Sequence, residues 1–373
     1  MLDDMDAARA LVAKRAAQIT DLQAQIAVLQ ADQQRAQRRL DAYKYPVLTL
    51  ANEVTEEIFR QVFPPYPEAP PHTKGKFFLF PVTHVCSQWR KIAVQTRVLW
   101  RAIDLPEPTH RGGRSIAAKM TATWLERSGN YPLSIHGVPN ALPHLLLTLA
   151  PYRPRWEHLS LSVTNVAQFA EVAAGPMPLL RSLTLRFIES SNTAALASIQ
   201  HSDSPLLRSV SLEPYPGPAL ILPWSQLTSL TLRRTSPDDA LPILRRSARL
   251  VHCTLHLVLN PMSNGAWLIR TEDIVLPRLE TLVFEATTAS VNLGKRVLKI
   301  LNTPALLSLE VPERFISSAS IAPTVVLTEF IVKCGCALQK LKVSGAQYTE
   351  QVYRTALPSI DEITAAVSLN ISI

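Results

Sequence analysis

Few side chains in this sequence are spaced for metal or covalent chemistry. "HCTLH" brings His252, Cys253 and His256 close together. On an extended chain successive side chains alternate faces, so His252, Thr254 and His256 share one side and Cys253 turns inward. Two imidazoles without a further ligand do not make a tetrahedral zinc site. Cys334-Gly335-Cys336 likewise lacks a second cysteine pair. Asp238-Asp239 and Asp361-Glu362 are isolated acidic pairs, read most simply as helix starts, where the helix field favours a carboxylate. No G-x-x-x-x-G-K-[ST], G-x-G-x-x-G or G-x-S-x-G occurs, and no nucleophile, base and orienting group stand out together. The expectation is a non-enzyme with no catalytic residues, no metal and no cofactor.

Composition points the same way. Gly is scarce (11) and Pro abundant (29), which disfavours phosphate-cradling loops and favours many short elements with proline at their boundaries. The net charge of +8 raises the question of nucleic acid, but residues 1–45 hold seven Lys/Arg against six Asp/Glu, so the excess is not a basic tail. The rest is dispersed in short pairs such as Arg233-Arg234, with no stacking pattern of aromatics beside them, which weighs against direct nucleic-acid binding. No apolar run approaches the ~20 residues of a membrane helix, and Met1-Leu2-Asp3-Asp4 is not the start of a signal peptide. Four cysteines in a chain this long are no disulfide framework, so the expected compartment is reducing, cytoplasmic or nuclear.

The elements that would position an interaction surface are easier to read. Ile19, Leu22, Ile26, Leu29, then Gln33, Ala36 and Leu40 follow alternating three- and four-residue spacing. This predicts one helix over residues 12–40 with a short a/d seam, compatible with a homodimer or with a single helix packed or solvated on its own. Next, "YPVLTLANEVTEEIF" offers Asn52 as a cap, Glu53 in the first turn, and an apolar face of Val54, Ile58, Phe59, Val62 and Phe63. "PPYPEAPP" (64–71) stops that helix. A second helix shows Val82, Val85, Cys86, Trp89, Ile92 and Ala93 on one side, and "RVLWRAIDL" adds Val98, Leu99, Trp100 and Ile103. Trp89 lies in mid-stripe and is expected buried; Trp100 lies at a break between elements and is expected partly exposed.

"YPVLTLANEVTEEIF … VTHVCSQWRKIAVQTRVLWRAIDL" resembles the F-box domain, in the form common in mushroom-type fungi. The family pattern "L-P-x-E-I … I-F", then "V-C-x-x-W-R-x-I-A … L-W-x-x-I", is met at Leu50, Asn52, Glu53, Val54, Ile58 and Phe59. It resumes at Val85, Cys86, Trp89, Arg90, Ile92, Ala93, Leu99 and Trp100. The resemblance spans about 60 of 373 residues. It implies a small helical module that docks a Skp-type adaptor of a cullin-scaffolded ubiquitin ligase, with contacts at Leu50, Asn52, Glu53, Val54, Ile58, Leu99 and Trp100. Ala51 departs from the pattern, because the family usually has proline there and uses it in the adaptor surface. Pro46 is upstream and out of register.

Beyond residue 150 a second pattern recurs: an anchor, often Pro, with apolar residues two, five and seven positions later. It appears as "PRWEHLSL" (154–161), "PLLRSLTL" (178–185), "PLLRSVSL" (205–212), "SQLTSLTL" (225–232), "ARLVHCTL" (248–255), "PRLETLVF" (277–284), "PALLSLEV" (304–311) and "CALQKLKV" (336–343). Its closing L-x-L has the period of a strand. Helix-like segments intervene, among them "NVAQFAEVAAG", "NTAALASIQ" and "GKRVLKILN". A strand and a helix per unit of this length resembles an irregular leucine-rich repeat, an ordinary parallel α/β domain being the alternative. If Leu183 and Leu185 point inward, the opposite face carries Ser and Thr with Arg186, Glu213, Arg233, His256, Glu285 and Lys342, which are the candidate substrate contacts.

The expected fold is therefore α+β and multidomain: a coiled-coil-like helix over 1–44, the F-box-like module over 45–105, a linker and start of the array over 106–150, and a solenoid with parallel strands over 151–373. The expected function is a substrate-recognition adaptor for an unidentified protein substrate. A repeat scaffold that uses the module only as a cap is the alternative.

Overall fold

The computed structural model describes residues 2–42, 49–68, 79–105, 113–137, 145, 148–164, 166–188, 197–200, 202–259, 272–285, 293–317 and 321–367. Helix α1 (Leu2–Ala42) is continuous through the segment expected to be helical. Its Ala, Gln and Arg residues are strong helix formers, and short-range pairs reinforce it, such as Gln25 with Asp21 at 2.8 Å and Arg35 with Asp32 at 3.0 Å. Every side chain described along it is exposed, Ile19, Leu22, Ile26 and Leu29 included.

The helices that follow, α2 (Asn52–Val62), α3 (Leu79–His84) and α4 (Ser87–Gln95), lead into a 3-10 turn at Arg97–Trp100. Phe59, Phe63, Val82, Ile92, Ala93, Leu99 and Trp100 form their core. Several expectations are corrected here. Ala51, not Asn52, occupies the N-cap of α2 and makes no side-chain capping bond, while Asn52 is the first helical residue and accepts from Gln88 at 3.5 Å. Val54, Ile58 and Val62 point away from Phe59 and Phe63, because two rings so close along a helix already fill the face that packs on α4. Val85 is 58% exposed, since α3 ends at His84 and the stripe across both helices is broken there. Cys86 caps α4, its sulfur accepting from the Trp89 amide at 3.4 Å.

The two tryptophans exchange their expected roles. Trp100 is 3% exposed, whereas Trp89 is half-buried, with its ring edge-on to Phe59 at 5.2 Å. The tight turn at Arg97–Trp100 folds the Trp100 ring back onto α4, and there its indole N–H donates to the Ala93 carbonyl at 2.8 Å.

Among the described residues the remaining chain builds a parallel sheet of 11 strands whose spatial order is their chain order, with two small two-stranded sheets beside it. The strands are β1 (Ala102–Leu105), β2 (Leu133–Gly137), β3 (Trp156–Val163), β4 (Ser182–Phe187), β5 (Ser209–Glu213), β6 (Ser229–Thr235), β7 (His252–Leu257), β8 (Thr281–Phe284), β9 (Ser308–Pro312), β10 (Lys340–Ala346) and β11 (Glu362–Val367). Each occurrence of the recurring pattern supplies one of β3 to β10. Their apolar positions stack in register: Leu159 on Leu183, then Val210, Leu230, Cys253, Leu282, Leu309, Leu341 and Ile363. These side chains are buried in a core continuous from Ile103 to Ile363, each worth roughly 1.5–3 kcal/mol relative to exposure. A long sheet whose successive strands are neighbours is compatible with a solenoid-like stack of units.

Connections differ from expectation in places. Val166–Ala173 and Leu293–Ile300 are helical. Of "NTAALASIQ", residues 192–196 lie outside the described residues, and Ala197–Ser198 is instead a short strand paired with Leu220–Ile221. Asp238 and Asp239 do begin a helix, capped by Ser236, whereas Glu362 begins β11, where Leu341 and Val343 of β10 draw Ile363 and Ala365 into the ladder. The segment 106–150 holds helix α5 (Gly113–Arg127) and β2. The final residues of the 45–105 segment are themselves β1, at one edge of the sheet. The proline stretch after α2 does more than stop a helix. The Tyr66 hydroxyl donates to Glu157 at 2.8 Å, Arg101 lies 3.9 Å over the Tyr66 ring, and Ser134 of β2 donates to the Pro67 carbonyl at 2.6 Å.

Candidate functional site

Two surfaces present the residues singled out from the sequence. The first is the outer ridge of α2. Val54, Ile58 and Val62 follow one another at four-residue intervals, the spacing that places side chains along one ridge of a helix, and Leu50 lies just before the N-cap. The three are 47%, 41% and 51% exposed, and Leu50 is 36% exposed. The adjoining side of α2 is anchored by Thr55 and Phe59, with Phe63 buried just past its end, so the ridge is held on a packed support. Asn52 and Glu53 are exposed beside it. Leu99 and Trp100 are not part of this surface. Both are buried in the module's core, so their expected role as adaptor contacts is corrected to an internal one. Ala51 has φ −59° and ψ 148°, a backbone that proline also adopts.

The second surface is the face of the sheet opposite the apolar ladder. Arg186, Glu213, Arg233, His256, Glu285 and Lys342 all project there, but mostly as pairs. Arg186 meets Glu213 at 3.1 Å, and Lys342 meets Glu310 at 2.8 Å. Arg233 reaches past β7 to Glu285 and binds both its oxygens, at 2.8 and 2.7 Å. His256 lies on β7, between the strands that carry this pair and in register with Arg233. The Arg233 hydrogen bonds hold the Glu285 carboxyl below the usual carboxylate range, and the same bonds raise Arg233. Ser160, Thr184, Ser211, Thr231 and Thr254 fill a neighbouring row. The face is thus polar and locally neutralised, offering hydroxyls and pre-paired charges to a partner of matching shape. The pairing was not legible as spacing, because partners such as Arg233 and Glu285 are 52 residues apart and meet only when strands stack.

Chemistry is sparse elsewhere. Cys253 is fully enclosed beneath the sheet, and burial pushes its thiol up to about 12. Among the described residues no group of three or more His, Cys, Asp or Glu could hold a metal ion. No helix among them is long and apolar enough to cross a membrane. Glu313, which the sequence did not flag, is 1% exposed and accepts from the Tyr353 hydroxyl at 2.7 Å and from the amides of Gln347 and Tyr348. No family model, curated protein or solved structure matches this chain.

Proposed function

We propose that this protein is a substrate-recognition adaptor of a Skp–cullin–F-box type ubiquitin ligase. The observation that carries the reading is the exposed apolar ridge of Val54, Ile58 and Val62 on a well-anchored helix, with Leu50 exposed just before its N-cap. A partner helix or groove would remove that stripe from water, the usual energetic source of helix docking. In this reading the module docks a Skp-type adaptor through Leu50, Asn52, Glu53, Val54 and Ile58, and the sheet is an irregular leucine-rich-repeat array. Its polar face selects a protein substrate through Arg186, Glu213, Arg233, His256, Glu285 and Lys342. Catalysis belongs to the partner enzymes, and this chain raises the local concentration of substrate beside them. It works inside the cell, in the cytoplasm or nucleus.

A second reading is supported by β1 and by Tyr66. Both tie the module to one end of the sheet, as a cap would be tied. A repeat scaffold with such a cap would need no ligase.

Binding to a purified Skp-type adaptor separates the two. Wild type is expected to bind, Ile58→Glu to lose binding at least about tenfold, and Ala51→Pro to gain it, since proline fits the Ala51 backbone and would restore the family's contact. Absence of binding by both wild type and Ala51→Pro would leave the scaffold reading.

A further inference from the structure

A cleft of about 400 Å³ lies between α5 and the α3–α4 pair, outside both surfaces above. Three cations face into it: Arg90 from α4, and Lys119 and Arg127 from α5. The α5 contributors recur at four-residue steps through Thr123, so they lie along one side of that helix. No Asp or Glu lines the cleft, and among the described residues none of these three cations has a carboxylate partner. Arg90 uses its Nε on the Thr83 carbonyl at 2.7 Å, which fixes the guanidinium and leaves its terminal nitrogens as donors.

The rest of the lining combines the polar side chains of Thr83, His84 and Thr123 with an apolar and aromatic wall. Trp100 and Trp124 meet edge to face at 5.0 Å, with Val94 and Met120 beside them. Arg127 lies 4.5 Å over the Trp100 ring, an arrangement that holds a cation at the border of an apolar surface. The three positive charges share one cleft, and no carboxylate of its lining offsets them. A pocket of this size, apolar in most of its lining and with a few convergent charges at the mouth, has the anatomy of a small-molecule site.

We propose that this cleft binds a small amphipathic anion: a flat apolar or aromatic body seated against Val94, Met120 and Trp124, with a carboxylate or phosphate head held by Arg90, Lys119 and Arg127. Such a ligand would bridge α4 and α5, and thereby the small module and the first helix associated with the sheet. The site is independent of the ligase reading and stands whether or not an adaptor binds α2.

Calorimetric titration of the full chain with 2-naphthoate and with its methyl ester tests this directly. The two share a ring system and differ in charge. The acid is expected to bind with Kd on the order of 10–100 μM and the ester at least about tenfold more weakly. Lys119 is exposed, so Lys119→Glu is expected to fold normally while weakening 2-naphthoate about tenfold; Arg90→Gln gives a second, independent loss. 1-Naphthyl phosphate distinguishes a phosphate from a carboxylate preference. Equal binding of acid and ester, no binding of either acid or phosphate, or unchanged affinity in both folded variants would each overturn the proposal. So would displacement by an acidic hexapeptide at equal concentration, because the cleft would then be a site for a protein segment.

Discussion

The carbonyl of Ala93 lies in the last turn of α4, where no further helical amide can reach it. The indole N–H of Trp100 fills that vacancy, and its ring is enclosed by the module's core and by Trp124. Removing Trp100 therefore loses both a large buried surface and a helix-end hydrogen bond. Trp89 is different: its Nε1 is buried with no acceptor among the described residues, and only part of its ring is covered. Trp100→Ala is expected to cost about 3–5 kcal/mol, whereas Trp89→Phe should stay within about 1 kcal/mol, because phenylalanine keeps the contact with Phe59 and removes an unsatisfied donor. Urea unfolding of the two variants checks this; equal losses would return Trp89 to the central role its helical spacing suggested. Glu313 shows the same logic for a charge. Buried almost completely, it is tolerable because three donors surround one carboxylate.

Strands in this protein are defined by the L-x-L endings, and their register follows from which side chains share a face. Leu183 is fully buried and stacks between Leu159 and Val210, while Thr184 sits on the polar side between Ser160 and Ser211. Leu183→Ala should destabilise the chain by ~2–5 kcal/mol and Thr184→Ala by no more than about 0.5 kcal/mol. Denaturant midpoints measure both, and similar effects from the two changes would be incompatible with this register. Helical periodicity was less decisive. In α2 a stripe of five apolar residues divides into an inner pair, Phe59 and Phe63, and an outer ridge. Both are apolar, so hydrophobic spacing alone could not tell the packed side from the presented one.

Across the whole molecule, one core joins eleven strands, while α1 stands with its described side chains in solvent. An isolated helix gains little from propensity alone, and the Ile19, Leu22, Ile26 and Leu29 seam would gain much more from a second copy. Sedimentation of the full chain is expected to show a dimer that Ile26→Lys shifts towards monomer. A wild type that is monomeric at micromolar concentration would leave α1 a solvated single helix. A dimer would bring two polar sheet faces into one particle and raise avidity for a repetitive partner.

The sequence by itself determined what depends on local period. Eight strands, their inward residues, the inward turn of Cys253, and the long N-terminal helix are all written in spacings of two, three and four. Neighbouring parallel strands with the same pattern then stack in register, because any one-residue slip would turn leucines to water. Only tertiary structure decided which contacts lie between residues distant in sequence. It closed Arg233 on Glu285, sent Tyr66 and Pro67 onto the first strands, and drew Trp100 inward while leaving Val85 outside. It also gathered Arg90, Lys119 and Arg127 around one cleft from two helices. A side chain's exposure is set by what the rest of the chain lays over it, and no spacing within a single element records that.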